Sequence, residues 1–104
     1  MGEALVKAIK IDRTGAVELV EGTWDQIWDK NVTVDAVSIA ERTHSIYFDD
    51  FGLFGINAVV AKIGIYPNVP LPALVVGSRG EHDVDVTLTV DEVAAMVTDV
   101  RPVR

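Results

Sequence analysis

Ala73-Leu74-Val75-Val76-Gly77 is an unbroken apolar run of strand length, and its reading decides the fold. A run this short, apolar at every position, predicts a strand buried on both faces at the centre of a sheet. Pro67-Asn68-Val69-Pro70-Leu71-Pro72 precedes it and can continue neither a helix nor a central strand. Composition points the same way, because 18 valines and 8 isoleucines make up a quarter of the 104 residues. Their β-branched side chains are stiff and favour pleated, half-buried surfaces.

Working outward, Ala4 to Asp12 alternates in the manner of a strand, with Leu5, Lys7, Ile9 and Ile11 on one side and Val6, Ala8 and Lys10 on the other. Asp12-Arg13-Thr14-Gly15 then predicts a tight hairpin turn into a second strand from Ala16 to Glu21, with Gly15 free to take a positive φ. A third strand is expected from Thr33 to Ala40, with Val37 and Ile39 on one face, and Glu41-Arg42-Thr43 turns into a fourth from His44 to Phe48. Ser78 to Asp85 reads as a polar, exposed loop.

Helical signals punctuate this pattern. Thr23 followed by Gln26 fits a capping box, so Gly22 to Lys30 predicts a short helix that places Trp24, Ile27 and Trp28 on one face. Asn57 and Gly64 bracket a second short helix from Ala58 to about Ile63. Thr89-Val90-Asp91-Glu92 carries another capping box, opening a helix whose apolar face is Val90, Val93, Ala94 and Val97, with Met96 and Val100 beside them, and which ends before Pro102. The expected class is α+β, one domain over residues 1–104, with a curved, mainly antiparallel sheet of about five strands and two or three short helices on one face.

Nine basic and 16 acidic side chains give a net charge of −7, with 49% hydrophobic residues, 24% charged and a mean hydropathy of +0.28. That balance excludes a disordered chain, and no apolar run approaches the roughly 18 to 20 residues of a membrane-spanning helix. The opening residues lack a basic segment followed by an apolar stretch, so a cytoplasmic location is expected. The absence of cysteine excludes disulfides, thiolate zinc sites, iron–sulfur clusters and cysteine nucleophiles. Scattered basic residues in an acidic chain argue against direct nucleic-acid binding.

No complete catalytic constellation emerges from the residues. His44 opens a strand beside a turn and reads as half-exposed. Glu81-His82-Asp83-Val84-Asp85 gathers three carboxylates and an imidazole, but strand-like alternation would split His82 from the acids, so the stretch reads as a solvated loop rather than a metal site. Asp49-Asp50 fits a turn, no serine stands in a nucleophile elbow, and Gly77-Ser78-Arg79-Gly80 is a poor phosphate cradle. Neither a cofactor nor an enzymatic activity is expected. The aromatic residues stand apart: Trp24 and Trp28 on one helix turn, then Phe51-Gly52-Leu53-Phe54 in a glycine-punctuated apolar loop after Asp50. Core packing explains the tryptophans first, while the loop suits an interface, in a homodimer or with another protein.

Phe48-Asp49-Asp50-Phe51-Gly52-Leu53, Asn57-Ala58 and Pro72-Ala73-Leu74-Val75-Val76-Gly77 together resemble a family of uncharacterised small proteins of phages and other mobile elements, especially those of actinobacteria. The likeness covers residues 4 to 80; the spacing after Asn57 and the Pro67 to Pro72 segment depart from the pattern. It implies an accessory protein made in the cytoplasm of a bacterial host. The expected function is binding and modulation of a host protein, in a host-takeover or anti-defence role, through Phe51, Leu53, Phe54, Asp50, Trp24 and Trp28. Alternatives are a small-molecule or nucleotide-sequestering protein with a pocket between sheet and helices, and an acidic mimic of nucleic acid.

Overall fold

The computed structural model describes residues 5–28, 34–39, 43–49, 58–79 and 82–103. The opening hairpin forms as expected: β1 (Val6–Ile11) and β2 (Val17–Gly22) pair antiparallel in unbroken register, from Val6 opposite Gly22 to Ile11 opposite Val17. Asp12 builds the turn, its Oδ1 accepting the Thr14 N–H at 2.8 Å, the Ala16 N–H at 3.1 Å and the Thr14 hydroxyl. Those donors, the Thr14 hydroxyl foremost, hold the Asp12 carboxyl below its ordinary value. Gly15 closes the turn at φ +88°, and a Cβ there would stand 2.8 Å from Val100 Cγ2. Gly15→Ala is expected to cost about 1–2 kcal/mol, read as a lower urea midpoint; an unchanged midpoint would mean that the turn relaxes freely.

Thr23 caps α1 (Trp24–Ile27), a single turn in which Gln26 Oε1 accepts the Thr23 N–H at 2.9 Å, so the capping box forms although the helix is shorter than the sequence suggests. β3 (Val34–Ile39) and β4 (His44–Asp49) pair antiparallel as expected. The next segment overturns an expectation. Residues 59–63 form a strand, β5 (Val59–Ile63), not a helix, and pair with β6 (Tyr66–Pro70). Val59, Val60 and Ile63 are β-branched and prefer the pleated conformation. Gly64, expected as a helix stop, sits at φ +58° in the β5–β6 turn, where its N–H is donated to Met96 O at 3.0 Å.

β7 (Ala73–Arg79) is the buried central strand that Ala73 to Gly77 predicted: it pairs with β1 and β4, and Ala73 to Val76 are 0% exposed. It continues past Gly77 because β1 covers only Ala73 to Val75, leaving Gly77 to Arg79 to pair with β8 (His82–Val84). Ser78 to Asp85 is therefore not simply a loop. Beyond β8 the chain stays against β1, with the Val86 N–H donated to Lys7 O at 2.9 Å and the Lys7 N–H to Asp85 Oδ1 at 3.0 Å. Thr89 then caps α2 (Val90–Met96), with Thr89 Oγ1 accepting the Glu92 N–H at 3.1 Å and Glu92 Oε1 accepting the Thr89 N–H at 3.0 Å. The chain leaves this helix directly into β9 (Val97–Pro102), which pairs with β5, so Val97 and Val100 are strand residues rather than helical ones.

Among the described residues the result is two antiparallel sheets. One runs β2-β1-β7-β4-β3, the five-stranded path expected, with β8 beside β7; the other runs β6-β5-β9. The main core lies between them, where Ile9, Ile11, Ile46, Ala73 and Val75 meet Ala61, Ile63, Val69, Leu71 and Val93 of α2. A second small cluster, Ala8, Leu74 and Val76, lies on the opposite face of the larger sheet under α1. The two helices therefore cover opposite faces, where the sequence suggested one, because a second sheet takes the place of the expected helical layer. No helix among the described residues is long and apolar enough to cross a membrane.

Candidate functional site

The tryptophans expected at an interface are brought together by α1. Trp24, Ile27 and Trp28, half-buried, pack over Ala8, Leu74 and Val76 with Val20 and Tyr47, as their spacing on one helical face requires. Trp24 and Tyr47 meet edge to face, with ring centroids 5.5 Å apart and planes at 84°, an arrangement that aligns a positive ring edge with a negative face. Among the described residues, Trp28 Nε1 is buried without an acceptor. An indole N–H removed from water and left unbonded carries a desolvation cost of about 1–3 kcal/mol. Asp50, Phe51, Leu53 and Phe54, the other interface candidates, lie outside the described residues; they follow the strand that carries Tyr47.

His44 corrects the sequence reading. It is 2% exposed, not half-exposed, because the alternation of β4 turns His44, Ile46 and Phe48 toward the space between the sheets. Its Nε2 lies 3.1 Å from the Thr87 backbone N and 3.3 Å from that of Leu88, with the Thr87 hydroxyl at 3.3 Å. Backbone N–H groups can only donate, so Nε2 carries the lone pair and the proton is on Nδ1, facing Thr43 Oγ1 at 2.9 Å. Burial pushes the imidazole below its ordinary value of 6.5, against the opposing pull of the Glu92 carboxylate. The ring is a neutral fastener between β4 and the segment leading into α2, with both nitrogens occupied.

Beside it, Thr43, Ser78, Arg79, Asp85 and Thr87 line an open cleft of about 460 Å³ at the β7–β8 end of the larger sheet. Hydroxyls, one guanidinium and one carboxylate form its polar lining. His82 and Asp83, expected in a loop, belong to β8, and among the described residues no three metal-ligating side chains converge. Arg101 is committed elsewhere: its guanidinium donates to Asp99 Oδ2 at 2.9 Å, Pro67 O at 3.2 Å and Asn68 Oδ1, tying β9 to β6 across β5. Compared with protein-family models, with curated proteins and with solved structures, the chain matches none.

Proposed function

We propose that the protein is a non-enzymatic binding module of a phage or other mobile element, which attaches to a host protein and alters its activity. The observation that supports this reading is the half-buried aromatic cluster of Trp24, Tyr47 and Trp28. Trp and Tyr dominate the energetics of protein interfaces because each supplies a large rigid surface with a polar handle. Asp50, Phe51, Leu53 and Phe54, which follow β4 in the sequence and lie outside the described residues, are included in the proposal on the sequence reading alone.

Affinity capture of the tagged protein from a bacterial host lysate, with a size measurement on the eluted complex, tests the reading. One stoichiometric host protein is expected. Trp28→Phe keeps an aromatic ring but gives up part of the indole surface, so folding stability is expected to change by no more than about 2 kcal/mol while capture weakens by about tenfold. Phe54→Asp is expected to abolish capture in a folded protein. Full retention of the partner by both variants would sink this surface.

A second reading, small-molecule binding, draws on the cleft beside Arg79. It requires a rise in melting temperature with a nucleotide or similar compound, since a ligand that binds the native state alone stabilises it.

A further inference from the structure

The edges of the two sheets differ in how they are protected, and the difference selects one of them. In antiparallel pairs the residues whose N–H and C=O groups point at the partner alternate along the strand. The Asp12 N–H is donated to Ala16 O at 3.0 Å, so in the same hairpin Lys10 with Glu18, Ala8 with Val20 and Val6 with Gly22 are the hydrogen-bonded pairs. Val17, Leu19 and Glu21 therefore direct their N–H and C=O groups away from the sheet, and β2 has no strand beyond it among the described residues.

β8, which pairs with β7 alone, is only three residues long, and β6, β9 and β3 each carry a blocking device. β6 contains Pro67 and Pro70, which lack the N–H a neighbouring strand would use. β9 is broken by a register shift opposite β5, with Asp99 at φ +54°. On β3, the Ser38 carbonyl accepts the Tyr66 hydroxyl at 2.6 Å. β2 has none of these; it is regular along its whole length, and Leu19 in its middle is 58% exposed. An open, regular edge of this kind is a template for strand addition.

Charge identifies what fits. Glu18 and Glu21 stand exposed on β2, each opposite a lysine of β1: Glu18 faces Lys10, and Glu21 faces Lys7 with the charged atoms 3.9 Å apart. Three residues apart, the two glutamates lie on opposite faces of the sheet, so an added strand with Lys or Arg beside each would continue a lysine–glutamate–lysine row on either face. A second copy of this chain would set Glu18 diagonally beside its own equivalent when Leu19 pairs with Leu19, and would join two chains of net charge −7. We propose that β2 is a docking edge that takes up an extended basic segment of a partner protein as an additional strand. This rests on the reading of the protein as a binding module and assigns it a second contact, made by backbone groups of the edge strand that leads into the aromatic cluster.

The test is selection from a displayed library of random decapeptides, on the wild-type chain and on Leu19→Pro. Proline at position 19 removes an outward N–H and none of the bonds to β1, and its fold is checked by thermal unfolding. Enriched peptides are expected to carry Lys or Arg at two positions three residues apart, one for each face of the added strand, to shift the amide resonances of Val17, Leu19 and Glu21, and to bind Leu19→Pro at least about tenfold more weakly. A variant-independent arm uses N-methylation of alternate residues in a selected peptide: methylating the set that faces β2 abolishes binding, and methylating the other set leaves it intact. No enrichment, enrichment without basic residues, or equal tolerance of both methylated sets overturns the proposal. Concentration-dependent dimers lost in Leu19→Pro would place a second copy on the edge and overturn the basic occupant. A host protein captured equally by wild type and Leu19→Pro removes the edge alone, whereas a wild-type chain that captures no host protein removes the binding reading itself.

Discussion

Acidification below about pH 6.5 is expected to weaken the fold through His44, and His44→Leu is expected to weaken it by about 2–4 kcal/mol at neutral pH. The substitution leaves the Thr87 and Leu88 N–H groups facing a hydrocarbon where Nε2 had accepted both. The pH effect has the same origin. Burial lowers the folded-state affinity of His44 for a proton relative to the unfolded chain. Above the unfolded value both states are neutral and the full stabilisation is present. As pH falls, the unfolded chain takes up its proton first, and stability is lost progressively until the folded imidazole titrates in turn. Protonated Nε2 would also confront two donors with a third.

His44→Gln separates this from carboxylate titration, since an amide oxygen accepts the same N–H groups and does not titrate. Urea midpoints of wild type and His44→Gln between about pH 7.5 and 5 are expected to diverge as pH falls, the wild type losing more. Parallel curves would remove His44 as the titrating group. Glu92 is the charged neighbour that favours protonation, so Glu92→Gln is expected to leave the onset of the loss unchanged, extend it to lower pH and make it larger.

How far the fold could be read from the chain follows from the range of the interactions involved. The first hairpin, both capping boxes and the central run from Ala73 are local statements, each contained within a dozen residues, and each is present in the structure. The strand at 59–63 reads as a helix because Asn57 and Gly64 offer caps, while its two partners, β6 and β9, lie on either side of β7 in the chain. β8 reads as a loop for a similar reason: three residues become a strand because β1 leaves half of β7 unpaired. Spacing on a helix revealed that Trp24 and Trp28 act together, but not that Tyr47 completes the cluster. His44 reads as half-exposed until a segment 43 residues away is seen to lie against it. Edge status is more remote still, since it depends on the order of every strand in the sheet.

Gly77→Ala is expected to destabilise the protein by about 2–4 kcal/mol, although replacing glycine with alanine in a strand ordinarily helps through the unfolded chain. Gly77 does not need a positive φ; what it provides is space. A Cβ there would press on the Asp85 carbonyl oxygen and stand 2.9 Å from Val84 Cγ2. Val84 could turn aside, but the carbonyl is backbone and is held by its neighbours: the Asp85 side chain takes the Lys7 N–H, and the Val86 N–H is donated to Lys7 O. Moving it means moving the connection that continues through Thr87 and Leu88 to His44. Strain at Gly77 and loss of the acceptor at His44 therefore loosen the same ten or so residues, and the two effects should not add. The double variant Gly77→Ala/His44→Leu is expected to cost less than the sum of the single changes, and amide exchange at Val86 is expected to rise in all three. Full additivity, or Gly77→Ala within about 0.5 kcal/mol of wild type, would mean that β8 and the route into α2 yield independently of the β4–β7 pair, and that the larger sheet does not need this corner to hold its second layer.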